Sequence, residues 1–284
     1  MRWHNPTAEL FIPDGTAAEV ALARTTHLAV AAHPDDIEIM AADGILRCFR
    51  RRDRWFTGVI VTDGSGSPRT GLYADYSDAA MRAVRRLEQK KAAVVGEYSA
   101  QLFLDYPSAA VRATGREAVV DDLRAVVEAT QPEIIYTHNP ADKHATHVAV
   151  ALRLIEALRR LPAEKRPRHL YGCEVWRDLD WLGDEEKVVF DVSAHENLQA
   201  ALLGLFDSQL SGGKRYDLAT MGRRRAHATY FASHDVDAAT GLTFAMELTP
   251  LIEDPTLSIE TFVLDFIRRF ADEVSRQLAA LGAR

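Results

Sequence analysis

The chain has 284 residues, 47% of them hydrophobic and 26% charged, with a net charge of -7. A domain of that length buries roughly three quarters of the surface its unfolded chain exposes, so it needs neither a disulfide nor a structural metal to hold a core. The acidic balance argues against a nucleic-acid partner, which wants a basic face. Cys48 and Cys173 show no Cys-x-x-Cys spacing, so neither a thiolate zinc site nor a disulfide framework is supported.

The first 25 residues carry Glu9, Asp14 and Glu19 and lack the basic start and apolar run of a secretory leader, so a cytoplasmic location is expected. No run approaches the roughly 18 apolar residues of a membrane span, so no membrane partner is expected either. Pro6, Pro13 and Gly15 mark this opening stretch as an irregular arm.

A first buried strand is predicted at 27–32 (HLAVAA), followed by helical spacing over 43–52. A second strand at 56–61 ends in Thr62-Asp63-Gly64, and residues 64–76 form a glycine-rich loop. A helix then starts from Ser77 or Asp78, with Met81, Val84, Leu87 and Val94 as its apolar stripe and Gly96 as its stop. Further strands are predicted at 102–104, 134–137, 170–175 and 188–191, and further helices at 119–129, 148–161, 197–206 and around 223–231. The last helix carries a wide stripe of Ile259, Phe262, Val263, Phe266, Ile267, Phe270, Val274 and Leu278. That stripe is expected to pack on its own domain, with a homo-oligomer interface as the other reading. Alternating strands and helices imply an α/β fold, a Rossmann-like parallel sheet with helices on both faces. No linker divides the chain, so a single domain over 1–284 is expected, with a core at 26–235 and the amphipathic helix at 257–281.

Two segments carry chemistry. His33-Pro34-Asp35-Asp36-Ile37-Glu38 follows the first strand, and His138-Asn139-Pro140-Ala141-Asp142-Lys143-His144-Ala145-Thr146-His147 follows the strand at 134–137. In open α/β sheets the ligand crevice lies beyond the carboxyl ends of the strands. Both segments therefore reach one rim, where imidazole and carboxylate side chains suit a metal. His144 and His147, three apart at a helix start, share a face. The glycines at 64 and 66 make neither a dinucleotide fingerprint nor a P-loop, so no nucleotide cofactor is expected.

These segments resemble the LmbE-like, or PIG-L, de-N-acetylases. His33-Pro34-Asp35-Asp36-x-Glu38 matches their first motif and Pro140-x-Asp142-x-His144-x-x-His147 is similar to their second. Val61-Thr62-Asp63-Gly64, Arg85-x-x-Glu88 and Ser208-Gln209 are similar to further family positions. The strong resemblance spans about residues 26–160. A departure is Ala145-Thr146, where relatives often carry an aspartate beside the histidine; the orienting contact of that aspartate is absent here, and whether Asp142 replaces it is open at this point. The resemblance implies a zinc ion (Fe2+ or another divalent metal being alternatives) on His33, Asp36 and His147. It implies Asp35 as general base, His144 as the group that steadies the oxyanion, and Arg85 and Asp105 as contacts to the sugar. The implied reaction is hydrolysis of an N-acetyl group from a small amino sugar. Hydrolysis of another amide or conjugate, and a non-catalytic sugar-binding module, are the rival readings. Trp176, Trp181, Arg69, Tyr73 and Tyr76 are weaker candidates for substrate contact, and His227 and His234 weaker still.

Overall fold

The structure is a computed structural model and describes residues 3–115 and 117–283. The innermost strands, β2 (His27–Ala31) and β3 (Phe56–Thr62), are buried at every position, as expected where helices cover both faces of a parallel sheet. With β1 (Glu9–Phe11), β4 (Ala100–Tyr106), β5 (Ile134–His138), β6 (His169–Cys173), β7 (Lys187–Asp191) and β8 (Leu242–Glu247) they form one sheet in the order β1-β4-β3-β2-β5-β6-β8-β7. The five strands β4-β3-β2-β5-β6 run parallel. β1 joins β4 antiparallel at one edge, and β8 lies antiparallel between β6 and β7.

The chain leaves β2 toward β3 and β4 on one side and later fills β5 and β6 on the other. The order therefore reverses between β2 and β5, the place where such sheets open a crevice at their carboxyl ends. Alternation along β2 builds both cores. Leu28 and Val30 enter the layer containing Leu123, Val127 and Leu154, while Ala29 and Ala31 enter the layer containing Ile37, Ile45 and Tyr98.

The helices are α1 (Ala18–Ala23), α2 (Asp36–Met40), α3 (Ala42–Cys48), α4 (Asp78–Val95), α5 (Ser108–Arg112), α6 (Glu117–Thr130), α7 (Ala145–Arg159), α8 (Glu196–Gly204), α9 (Asp207–Leu210), α10 (Tyr216–Tyr230), α11 (Pro250–Glu253) and α12 (Ile259–Ala280). None is long and apolar enough to cross a membrane among the described residues.

Four expectations need correction. The opening stretch is not wholly irregular: it contributes β1, whose Glu9 faces Arg86 and Lys90 of α4, and also α1. The strand β8, inserted between two strands far from it in sequence, was not foreseen. The helix expected over 43–52 ends at Cys48, and Arg50 turns left-handed with φ of 57°.

The fourth correction concerns α4, which does not bury the expected stripe. Met81 is inside, but Leu87 and Val94 are 54% and 52% exposed, while Arg85, Glu88 and Gln89 face inward. The inner face of α4 supports a polar turn rather than an apolar layer. The stripe on α12 is split. Val263 is buried and Phe262 and Phe266 pack on the core, whereas Ile267, Phe270, Val274 and Leu278 remain 39–52% exposed. Packing on its own domain thus holds for the first turns only.

Candidate metal centre

β2 ends at Ala31, and the next four residues turn sharply into α2. The turn is pinned from both neighbouring strands. Thr62 donates from its N–H and its hydroxyl to the Ala32 carbonyl, and the Ala32 N–H donates to His138 Nε2 at 2.9 Å. Asp35 adopts φ of 95°, a left-handed conformation costly for a residue with a side chain. It is over-determined by α4. Gln89 Oε1 accepts the Asp35 N–H, and Arg85 Nη2 donates to the Pro34 carbonyl and to Asp35 Oδ2 at 3.3 Å. Gln89 in turn donates to buried Glu38, which also accepts from the Tyr98 hydroxyl.

The turn delivers His33 and Asp36, and the first turn of α7 delivers His147. Asp36 Oδ2 lies 3.1 Å from His33 Nδ1 and 3.3 Å from His147 Nε2, and the two ring nitrogens are 3.2 Å apart. The side chains of Asp36 and His147 are 4% and 0% exposed, while that of His33 is 16% exposed on the cavity side. Two imidazole nitrogens and a carboxylate oxygen converge at one point, with one side facing open space, an arrangement that could hold a divalent metal ion and leave a position open. His138 closes the rear of the site, with its ring stacked on His147 at 3.9 Å between centroids.

The electrostatics tie these groups to one another. Burial pulls the His147 imidazolium down, but Asp36 and Asp142 outweigh it and raise the pKa to about 9. Burial opposes the Asp36 carboxylate, yet His147 and His33 hold it well below the usual range. Burial pushes Asp35 well above that range, Arg85 pulling the other way. Burial, then His147 and His33, lowers His144 to about 4, so it is neutral at physiological pH.

Asp142 ties the second segment together. Its Oδ1 accepts the His144 N–H at 2.8 Å, its Oδ2 accepts the Trp176 N–H at 3.0 Å, and the same Oδ2 stands 3.6 Å from His147 Nδ1. That nitrogen is buried with no hydrogen-bond partner among the described residues. Metal-bound histidines usually direct their second N–H at a carboxylate, and Asp142 is the carboxylate in place.

The centre opens into a cavity of about 790 Å³ lined by His33, Asp35, Asp36, Arg85, His144, Trp176 and Tyr216 among others. His144 meets His33 edge-on at 5.0 Å and lies nearly parallel to Trp176. Of the expected site residues, His33, Asp35, Asp36, Arg85, His144 and His147 come together here. Asp105 does not line the cavity. Its carboxylate is taken by Arg82, by Arg86 at 2.7 Å and by the Thr7 hydroxyl, so its place at a strand end serves to hold the N-terminal arm.

Arg69, Tyr73, Tyr76 and Trp181 are also off the cavity, Tyr73 bonding Asp207 and Trp181 the Asp178 carbonyl. His227 is paired with buried Glu174, and His234 is exposed away from the site. The family-like Glu88 clamps Ser208 by its N–H and hydroxyl, and Gln209 lines the cavity wall. Sequence reasoning missed Gln89, Lys214 and Arg223, and gave His138 no role although it opens the second segment. For Gln89, the signal was its place one turn beyond Arg85.

Residues 28–158 match the family model PIG-L, described as GlcNAc-PI de-N-acetylase. No curated protein matches the chain. Among solved structures, a conserved protein of Thermus thermophilus is 18% identical, with a TM-score of 0.61, over 83% of this chain and 98% of its own. The N,N'-diacetylchitobiose deacetylase of Pyrococcus horikoshii is 17% identical, with a TM-score of 0.58, over 78% of this chain and 83% of its own. The 4-carboxy-2-hydroxymuconate hydratase of Pseudomonas putida is 17% identical, with a TM-score of 0.58, over 79% and 96%. At that identity the three establish a shared fold. The stretch that supplies His33, Asp36 and His147 lies within residues 28–158, the part of the chain that matches the PIG-L (LmbE-like) family model.

Proposed function

We propose that the protein is a zinc-dependent de-N-acetylase that releases acetate and a free amine from an N-acetylated amino sugar. The observation that carries this reading is the convergence of His33, Asp36 and His147 on the same cavity wall as Asp35 and His144. The description of the matched family and the deacetylase of Pyrococcus horikoshii support it. A divalent cation held by the three ligands supplies Lewis acidity, polarising a carbonyl and lowering the pKa of water from 15.7 to roughly 7.

The chain's own groups do the rest. Asp35 Oδ2 is held toward Arg85, while Oδ1 makes no hydrogen bond among the described residues and is the atom we assign to receive a proton from the attacking water. Neutral His144 carries one N–H, which we assign to hydrogen-bond the oxyanion as it forms. A donor preorganised in this way is worth about 10²–10³ in rate. The amine departs once protonated, and the proton gathered on Asp35 or held by His144 is the source. Arg85 acts by positioning the turn, not as the main sugar contact. Trp176, parallel to His144 and fixed at its backbone by Asp142, offers an aromatic face to the substrate body.

We read the chain as one domain, since the cavity draws side chains from His33 to Arg223. The exposed stripe on α12 supports a homo-oligomer.

The test is a panel of N-acetylated amino sugars and glycosides with detection of free amine and acetate, using zinc-loaded and metal-stripped protein. Zinc-restored release of acetate is expected. Turnover of other amides alone would move the assignment to a different acyl group on the same site.

A further inference from the structure

The charges around the cavity are unevenly matched. Its carboxylates are Asp35 and Asp36, both at the metal end, while five cations, Arg85, Arg112, Lys214, Arg215 and Arg223, stand on its walls. Arg85 is committed to Asp35, and Arg215 to Asp217 at 2.7 Å. The other three have no carboxylate within 4.0 Å among the described residues. They are nevertheless fastened to cavity-lining groups rather than left to trail in solvent. Arg223 Nη1 donates to the Val175 carbonyl at 2.7 Å, Lys214 Nζ lies 5.2 Å from the Trp176 ring, and Arg112 Nη1 donates to the Thr146 hydroxyl at 3.2 Å. Lys214 and Arg223 are half-buried and flank Trp176 by different elements, Lys214 just before α10 and Arg223 within it. A protein of net charge -7 thus keeps uncompensated positive charge on the walls of its main cavity. Holding partly desolvated cations without counter-charges is costly unless a bound group supplies the opposite charge.

We infer that the substrate carries an anionic group, a carboxylate or a phosphate, outside its acyl end, and that Lys214 and Arg223 beside Trp176 receive it, with Arg112 adding positive potential from the α5 wall. This rests on the amide-hydrolase reading and narrows its substrate class. The acyl end faces Asp35 and His144, the substrate body lies against Trp176, and the anion meets the guanidinium and ammonium groups. A guanidinium offers parallel N–H donors to either oxyanion, while the ammonium acts as a point charge.

The experiment uses zinc-loaded protein and three probes: methyl N-acetylglucosaminide as the neutral one, N-acetylglucosamine 1-phosphate, and N-acetylmuramic acid. The reading is the ratio of kcat/KM for each charged probe over the neutral one, in the wild type and in Lys214→Gln, Arg223→Gln and the double variant. At least one charged probe is expected to exceed the neutral one, and its ratio to fall about tenfold in the double variant, as expected for two partly exposed charge contacts. The probe that shows the effect separates phosphate from carboxylate. A ratio that stays the same in wild type and double variant overturns the inference.

If no N-acetyl probe is turned over, the de-N-acetylase reading has failed and the anion site is read separately. Tryptophan fluorescence is then titrated with inorganic phosphate and with malonate. Saturable binding that weakens about tenfold in the double variant supports the site, and equal affinity in both proteins overturns it.

Discussion

Asp142→Asn isolates the role of a carboxylate that binds no metal itself. The substitution keeps size and one acceptor oxygen, so the Asx contact to the His144 N–H at 2.8 Å can survive. What is lost is the negative charge 3.6 Å from His147 Nδ1. Burial pushes the Asp142 carboxyl up, but His147 and the His144 N–H more than offset this and hold it below the usual range. The carboxylate is therefore ionised at neutral pH and biases His147 toward presenting Nε2 to the cation. Removing such outer partners of a metal-bound histidine typically costs 10–100-fold in affinity, or about 1.4–2.7 kcal/mol at 1.36 kcal/mol per decade. The measurement is zinc competition against a chromophoric chelator at pH 7.5, with the thermal transition of the metal-free protein recorded alongside. Zinc affinity should fall by that factor while the metal-free protein melts within a few degrees of wild type. Unchanged affinity would refute the assignment of Asp142 as the orienting carboxylate. A collapse in the stability of the metal-free protein would make it a fold anchor instead.

Asp35→Asn should retain zinc by elemental analysis and lose about 10²–10⁴ in kcat, the usual span for a general base; near-normal turnover would remove Asp35 from that role. Asp105→Asn should lower stability by about 2 kcal/mol, discounted for the partial exposure of Arg82 and Arg86, and leave KM unmoved, whereas a change in KM would return it to the substrate. His147 gives a pH signature. Its folded pKa of about 9 lies above the ordinary 6.5, so its contribution to the metal-free protein is complete below pH 6.5 and lost as pH rises toward 9. Thermal melts of metal-stripped protein should decline across that window, and zinc affinity, which must displace the same proton, should rise. Ile267→Glu with Phe270→Glu should reduce molar mass in light scattering if the exposed stripe of α12 pairs subunits, and leave it unchanged if that face stays in solvent.

Much of this architecture could be read from the chain because the central strands are buried on both faces and therefore appear as continuous apolar runs. That reading placed β2, β3 and β5 and put two polar segments at their carboxyl ends. The edges were harder. β1 and β8 owe their existence to partners distant in sequence, β4 for the first and both β6 and β7 for the second, so local pattern gave them little weight. Asp105 shows the same limit at the level of one side chain. Its position after a strand was informative, but pattern alone does not show that Arg82 and Arg86, one helical turn apart on α4, pair with its carboxylate. Trp176 and Trp181 looked alike in sequence, and the difference lies in Asp142, which fixes the Trp176 backbone against the cavity.

The error at α4 leads further. A stripe rule assumes that the inward face of a helix meets hydrocarbon, and here it meets a turn whose first aspartate, Asp35, sits at φ of 95°. Such a conformation costs of order 1–3 kcal/mol and persists only where surroundings over-determine it. Arg85 and Gln89 do so from one face of α4, gripping the carbonyl of Pro34, the N–H of Asp35 and one of its carboxylate oxygens. Glu38 anchors Gln89 from behind, its carboxyl raised to about 7 mainly by burial, although Tyr98 and Gln89 favour its charged form. The motif from His33 to Glu38 therefore divides by depth. His33 and Asp36 point at the metal position, Asp35 points at the cavity, and Glu38 turns into the protein to hold the residue that holds Asp35. Exposing Leu87 and Val94 is the consequence of rotating α4 so that its polar face performs this task. A helix turned to bury its apolar side would satisfy hydropathy and leave Asp35 without the contacts that keep its backbone in place.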